Sequence, residues 1–148
     1  MDTFKIIGIS IETTNQNGQS LEDIEKLWGK FWGENIQDQI PNKVNNEIYA
    51  VYTDYENGDA GKYTVIIGLP VKSLDDIPNE FVGREIYVGK SQKFVARGKM
   101  PEAVVKMWTE IWENKALKRT YRADVTVHGK KYYDGDNAEV ETFISVVE

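Results

Sequence analysis

The chain has 148 residues, 41% hydrophobic and 28% charged, which suits one globular domain with a sizeable core and excludes a disordered chain. Cysteine is absent and histidine occurs once, at His128, so disulfides, thiol nucleophiles and Cys- or His-built metal sites are excluded. A net charge of −6 opposes a phosphate backbone, and no apolar run approaches a membrane span, so neither direct nucleic-acid binding nor membrane insertion is expected.

The first segment, Phe4–Ser10, reads as a strand and carries no basic stretch followed by an apolar one, so a cytoplasmic location is expected. Leu21, Ile24, Leu27, Trp28 and Phe31 then recur at three- and four-residue spacing, one stripe of an amphipathic helix. Ser20 with Asp23 resembles a capping box, and Gly33 is its stop. Glu47–Asp54 and Lys62–Gly68 follow as strands, with Glu56–Asp59 as the hairpin turn between them. The polar stretch 72–82, with Pro78 and two Asp, reads as a linker, and Arg84–Val88 as a short strand.

The same order then returns. Gln92–Arg97 is a strand, and Pro101 opens a helix whose stripe is Val104, Met107, Trp108 and Ile111, ending at Asn114 and Lys115. Tyr121–His128 and Glu139–Val146 are strands around a turn-rich loop at 130–137. Trp28 and Trp32 fall on Trp108 and Trp112, each 80 positions further on, with Leu27 on Met107 and Phe31 on Ile111. In a chain with four Trp, this match marks an internal duplication. The fold class is therefore α+β: duplicated β-α-β-β units (about 3–71 and about 83–148) forming an antiparallel sheet in one domain. Two main helices are expected on one face and a ligand groove on the other.

Four Trp, eight Tyr and five Phe provide more flat amphipathic surface than a core of this size needs, which suits an aromatic-lined cleft. Alternation places Asp124, Thr126 and His128 on one strand face and Val125 and Val127 on the other. Giving the valines to the helix-packed core turns the polar set toward the groove. On the last strand Glu141 is the candidate groove carboxylate. Tyr52, Tyr63, Phe94 and Trp112 complete the candidate ligand-binding set, while Trp28, Trp108 and Tyr49 read as core. His128, at a strand end, reads as a surface residue or a pH-sensitive contact. No glycine spacing matches a phosphate loop and no Ser sits in a nucleophile elbow, so no cofactor, metal or catalytic residue is assigned.

The ordered set Leu27-Trp28…Phe31, Tyr49–Glu56, Tyr63–Gly68, Gly98–Pro101, Trp108–Trp112, Arg119–Asp124 and Glu139–Ile144 resembles the GyrI-like effector-binding domains, nearest to the stand-alone integron-cassette proteins. The resemblance covers nearly the whole chain. It implies a small-molecule effector- or drug-binding protein that senses or sequesters an amphipathic, often cationic, ligand. No helix-turn-helix domain fits beside the duplicated unit, so transcriptional control would need a separate DNA-binding or target protein. In many members the segment aligned with Asp124–His128 reads Asp, aromatic, Glu, any, Tyr, with the Glu in the pocket. Here Thr126 stands at the Glu and His128 at the Tyr. The resemblance also raises two alternatives. One is a hydrolase of reactive natural products using Glu141 with Tyr52 or His128. The other is a protein-interaction module of gyrase-inhibitor type.

Overall fold

Seven strands and two long helices form in the computed structural model, which describes residues 3–58, 60–129, 132 and 135–147. Asp59 of the expected hairpin turn, and residues 130, 131, 133 and 134 of the expected loop, lie outside the described residues. The strands are β1 (Thr3–Thr14), β2 (Ile48–Thr53), β3 (Lys62–Val71), β4 (Val82–Tyr87), β5 (Ser91–Arg97), β6 (Arg119–His128) and β7 (Glu139–Val146). The helices are α1 (Gln19–Gly33), a single turn α2 (Ile36–Gln39) and α3 (Glu102–Glu113).

One antiparallel sheet contains all seven strands in the order β4-β1-β3-β2-β6-β7-β5. The first unit supplies β1-β3-β2 and the second β5-β7-β6, so the two halves meet where β2 pairs with β6, Ala50 opposite Thr126. This is the duplicated antiparallel α+β architecture expected from the repeat. Strand β4 pairs with β1, at the outer edge of the first half. Strand β3 is buried on both faces from Val65 to Val71, which is why its sequence is a continuous apolar run rather than an alternation. Gly8 lies directly opposite Gly68, and a methyl on either would run into the backbone carbonyl of Ile67 or Ile7. The two glycines therefore permit β1 and β3 to approach closely.

Both helices lie on the same face. Leu27 and Phe31 of α1 are buried, as are their repeat equivalents Met107 and Ile111 of α3. Helix α1 begins after Gly18, in a left-handed conformation (φ 69°), so Ser20 falls inside the helix and caps nothing. The Asp23 carboxylate accepts hydrogen bonds from the Thr13 hydroxyl at 2.8 Å and the Gln19 amide at 3.1 Å instead, tying α1 to β1. Pro101 occupies the N-cap of α3 and Asn114 its C-cap.

The centre of the helix-free face, where the groove is expected, is covered. Only residues 88–90 link β4 to β5 at the opposite ends of the strand order, so the twisted sheet coils until β4 packs over β6. Ile86 and Val88 close on Ile6, Val51, Ile66, Ala123, Val125 and Val127, filling that side with aliphatic core. The valines of β6 thus pack away from the helices, and Asp124, Thr126 and His128 point toward them. Strand β6 is buried on both faces, so its apolar alternate residues could not reveal which side the helices occupy.

Candidate functional site

The helices leave the middle of the sheet to side chains. Helix α1 packs mainly on β1 and β3, and α3 on β5; the central strands β2 and β6 are roofed by aromatic rings. From α1 comes Trp28, stacked on Trp32 with centroids 5.9 Å apart and meeting the His128 ring edge-on at 4.8 Å. From α3 comes Trp108, edge-on to Tyr52 at 5.1 Å, with Trp112 beyond it at 6.2 Å. Two helices of separate repeats each place one Trp over the seam of the sheet.

Beneath the rings lies a polar floor. The Thr126 hydroxyl is 3.1 Å from His128 Nε2 and 3.5 Å from the Ala50 carbonyl. Thr142 of β7 lies directly opposite Thr126 and is fully buried. Two buried polar atoms here have no hydrogen-bond partner, His128 Nδ1 and Thr142 Oγ1. His128 is 6% exposed, against the expectation of a surface residue, and Tyr132 covers its other side at 4.9 Å. Burial among rings penalises the imidazolium and pushes the His128 pKa down to about 4. The imidazole is therefore neutral at physiological pH.

Asp124 anchors the other end of the floor. It is the only buried carboxylate among the described residues. Its oxygens accept from Tyr55 Oη at 2.7 Å, Arg119 Nη2 at 2.7 Å and the Ser145 amide at 3.0 Å. Burial raises the Asp124 pKa, and the guanidinium and these donors oppose that rise. In a straight strand, Arg119 and Asp124 would face opposite sides, being five residues apart. A bulge between them, with Tyr121 held at φ 57°, brings both to one side. The Arg119 guanidinium then lies 4.4 Å above the Tyr121 ring. Tyr55 packs at 5.4 Å on both Tyr63 and Tyr121. Burial raises the pKa of both the Tyr52 and the Tyr55 phenol, so neither ionises near neutrality. A surface recess of about 360 Å³ opens beside Tyr55 and Tyr121, lined also by Asp54, Arg84, Tyr87 and Arg122.

Of the candidate residues, Tyr52, Tyr63, Thr126 and His128 come together on the helix face. Phe94 lies on the same face under α3, and Trp112 is half-exposed at the rim. Glu141 does not join them. It pairs with Val127 on the opposite face and forms an ion pair with Lys93 at 2.5 Å, half-exposed. Neither the expected groove carboxylate nor an acid–base set of Glu141 with Tyr52 or His128 is assembled. Trp28 and Trp108, read as core, are half-buried over the seam; Tyr49 packs on Phe4 on the other face. The sequence reading missed Tyr55, Arg119, Tyr132 and Thr142. Thr142 was accessible through its position opposite Thr126, but no local pattern announces a bulge that unites Arg119 with Asp124.

A duplicated, coiled antiparallel sheet with one helix per repeat and aromatic rings over its seam defines the effector-binding class of fold. Residues 1–146 match the family described as Cass2, integron-associated effector binding protein, and the chain belongs to that family. The Vibrio cholerae integron cassette protein VCH_CASS2 shares 28% identity and superposes with a TM-score of 0.76, over 99% of this chain and 92% of that one. SAV2435, solved bound to tetraphenylphosphonium, has the same fold at 16% identity, with a TM-score of 0.82 over 99% and 90% of the two chains. YobU of Bacillus subtilis (strain 168), named as a candidate transcriptional regulator, is 24% identical over 99% of this chain and 94% of its own length. No helix among the described residues is long and apolar enough to cross a membrane.

Proposed function

We propose that this protein is a small-molecule sensor or sequestering module that takes a flat amphipathic ligand into the cleft between α1 and α3. One observation carries the reading: Trp28 and Trp108, from separate repeats, cover a buried floor of Tyr52, Thr126 and His128 at the seam of the sheet. Ring faces on both walls suit an aromatic ligand, and the polar floor suits a polar substituent. SAV2435, a protein of the same fold, was solved with tetraphenylphosphonium, a cation that presents four phenyl rings. In this chain the Asp124 charge is already met by Arg119, so a cation would be held by ring faces rather than by a free carboxylate. The chain acts in this reading as one domain of two repeats joined through 72–82. A cytoplasmic sensor of this form would serve transcriptional regulation, the role that the name of YobU carries, through a DNA-binding or target protein.

Titration of intrinsic Trp fluorescence with tetraphenylphosphonium and with neutral biphenyls tests it. Saturable quenching is expected, at least about tenfold weaker in Trp108→Leu and unchanged in Glu141→Gln. Quenching that fails to saturate with every compound, or that ignores Trp108→Leu, overturns the reading.

A further inference from the structure

His128 and Thr142 leave two unpartnered polar atoms in a cleft otherwise walled by rings, and a buried polar group without a partner is costly. The hydrogen-bond chain indicates what the imidazole atom offers. The Thr126 hydroxyl has one proton, and the Ala50 carbonyl 3.5 Å away can only accept it. With that proton directed to Ala50, the Thr126 oxygen accepts from Nε2–H at 3.1 Å. In the tautomer that carries its proton on Nε2, Nδ1 presents a bare lone pair. Thr142, opposite Thr126 on β7, adds a hydroxyl that can donate or accept. Trp28 and Tyr132 bracket the same ring, so a molecule reaching Nδ1 would stack among aromatic faces as it does so. The buried carboxylate Asp124 is held by Arg119 and Tyr55, so the cleft shows an acceptor without showing an uncompensated negative charge.

Taking the cleft as the binding site, we infer that His128 Nδ1 is a specificity-determining acceptor, and that the site selects neutral aromatic molecules carrying an O–H or N–H donor. Phenols and aromatic amides belong to this class; a permanent cation with no donor does not satisfy it. Thr142 would complete the contact by hydrogen-bonding the same polar group.

The test compares 4-phenylphenol with its methyl ether, 4-methoxybiphenyl, which differ in the donor alone. Binding to the full chain is followed by calorimetry and Trp fluorescence at neutral pH. The phenol is expected to bind at least about tenfold more tightly, the size of effect expected when a buried acceptor gains its partner. That ratio should fall to about one in His128→Phe, which keeps a ring and removes the acceptor, and survive in part in His128→Asn. Because His128 is the sole histidine, its ¹⁵N resonances are unambiguous. Nδ1 should show the shift of an unprotonated ring nitrogen and move on titration with the phenol. This readout stands even where a variant fails to fold. Equal affinities for phenol and ether, or a protonated Nδ1, overturn the inference and leave the cleft in place. So does binding of tetraphenylphosphonium with neither biphenyl bound. A phenol preference that persists in His128→Phe overturns the assignment to His128. No binding of any of the three overturns the cleft as well.

Discussion

Arg119→Met should be among the most damaging single substitutions in this protein. The Arg119 side chain is 5% exposed and Asp124 is fully buried, with 2.7 Å between guanidinium and carboxylate. Removing the cation leaves the carboxylate with the Tyr55 hydroxyl and the Ser145 amide, two neutral donors that cannot replace a full charge. Breaking one side of a buried pair costs about 3–5 kcal/mol. Urea unfolding followed by Trp fluorescence would show this as a lower midpoint. Burial already raises the Asp124 pKa, and loss of Arg119 would raise it further. An acid whose folded pKa lies above its unfolded value favours the native state at low pH and loses that contribution as pH rises through the folded value. The deficit of Arg119→Met relative to the parent should therefore be smaller at pH 5 than at pH 8. Replacing both residues, as Arg119→Met with Asp124→Leu, should recover most of the loss, because no unpaired charge remains. A loss below about 1 kcal/mol at pH 8, or a deficit that grows toward acid, would refute this account of the pair.

Three other substitutions or titrations probe different layers of the molecule. Because His128 is buried neutral with its pKa at about 4, stability should be full above pH 6.5 and decline as pH falls from about 6.5 to about 4. The loss should total about 3 kcal/mol by unfolding at stepped pH, and His128→Asn should remove that component of the profile. Gly8→Ala should destabilise by at least about 2 kcal/mol, since its methyl meets the Ile67 carbonyl and the Gly68 backbone, neither of which can rotate away; a thermal midpoint unchanged from the parent would contradict that packing. Glu141→Gln removes only a half-exposed ion pair with Lys93 and should alter stability by less than about 1 kcal/mol in chemical denaturation.

The repeat was the most legible feature. Two Trp pairs in matching apolar stripes identified both helices, and Leu27, Phe31, Met107 and Ile111 all bury where that stripe predicts. The strands were readable from alternation and from the apolar run of β3. Helix starts were less so: Ser20 had the chemistry of a cap, but the left-handed turn at Gly18 began α1 earlier and left Asp23 to bind Thr13. Alternation put Thr126 and His128 on one face of β6, and strand pairing brings Tyr52 and Tyr63 to the same side. Glu141 lies on the other face from this group. Register places it opposite Val127, not Thr126.

Sequence alone determined what is local. Helix stripes, strand alternation and duplication depend on side chains a few residues apart, whose geometry is set by the helical and extended periods. Only the tertiary structure decided which side of the sheet Asp124, Thr126 and His128 face, because β6 is buried on both faces and the coil that brings β4 over Val125 is a property of the whole sheet. It also decided that Asp124 meets Arg119 and Tyr55. That contact needs a bulge and a strand pairing across more than 60 positions, and neither is written in the short spacings from which a sequence can be read.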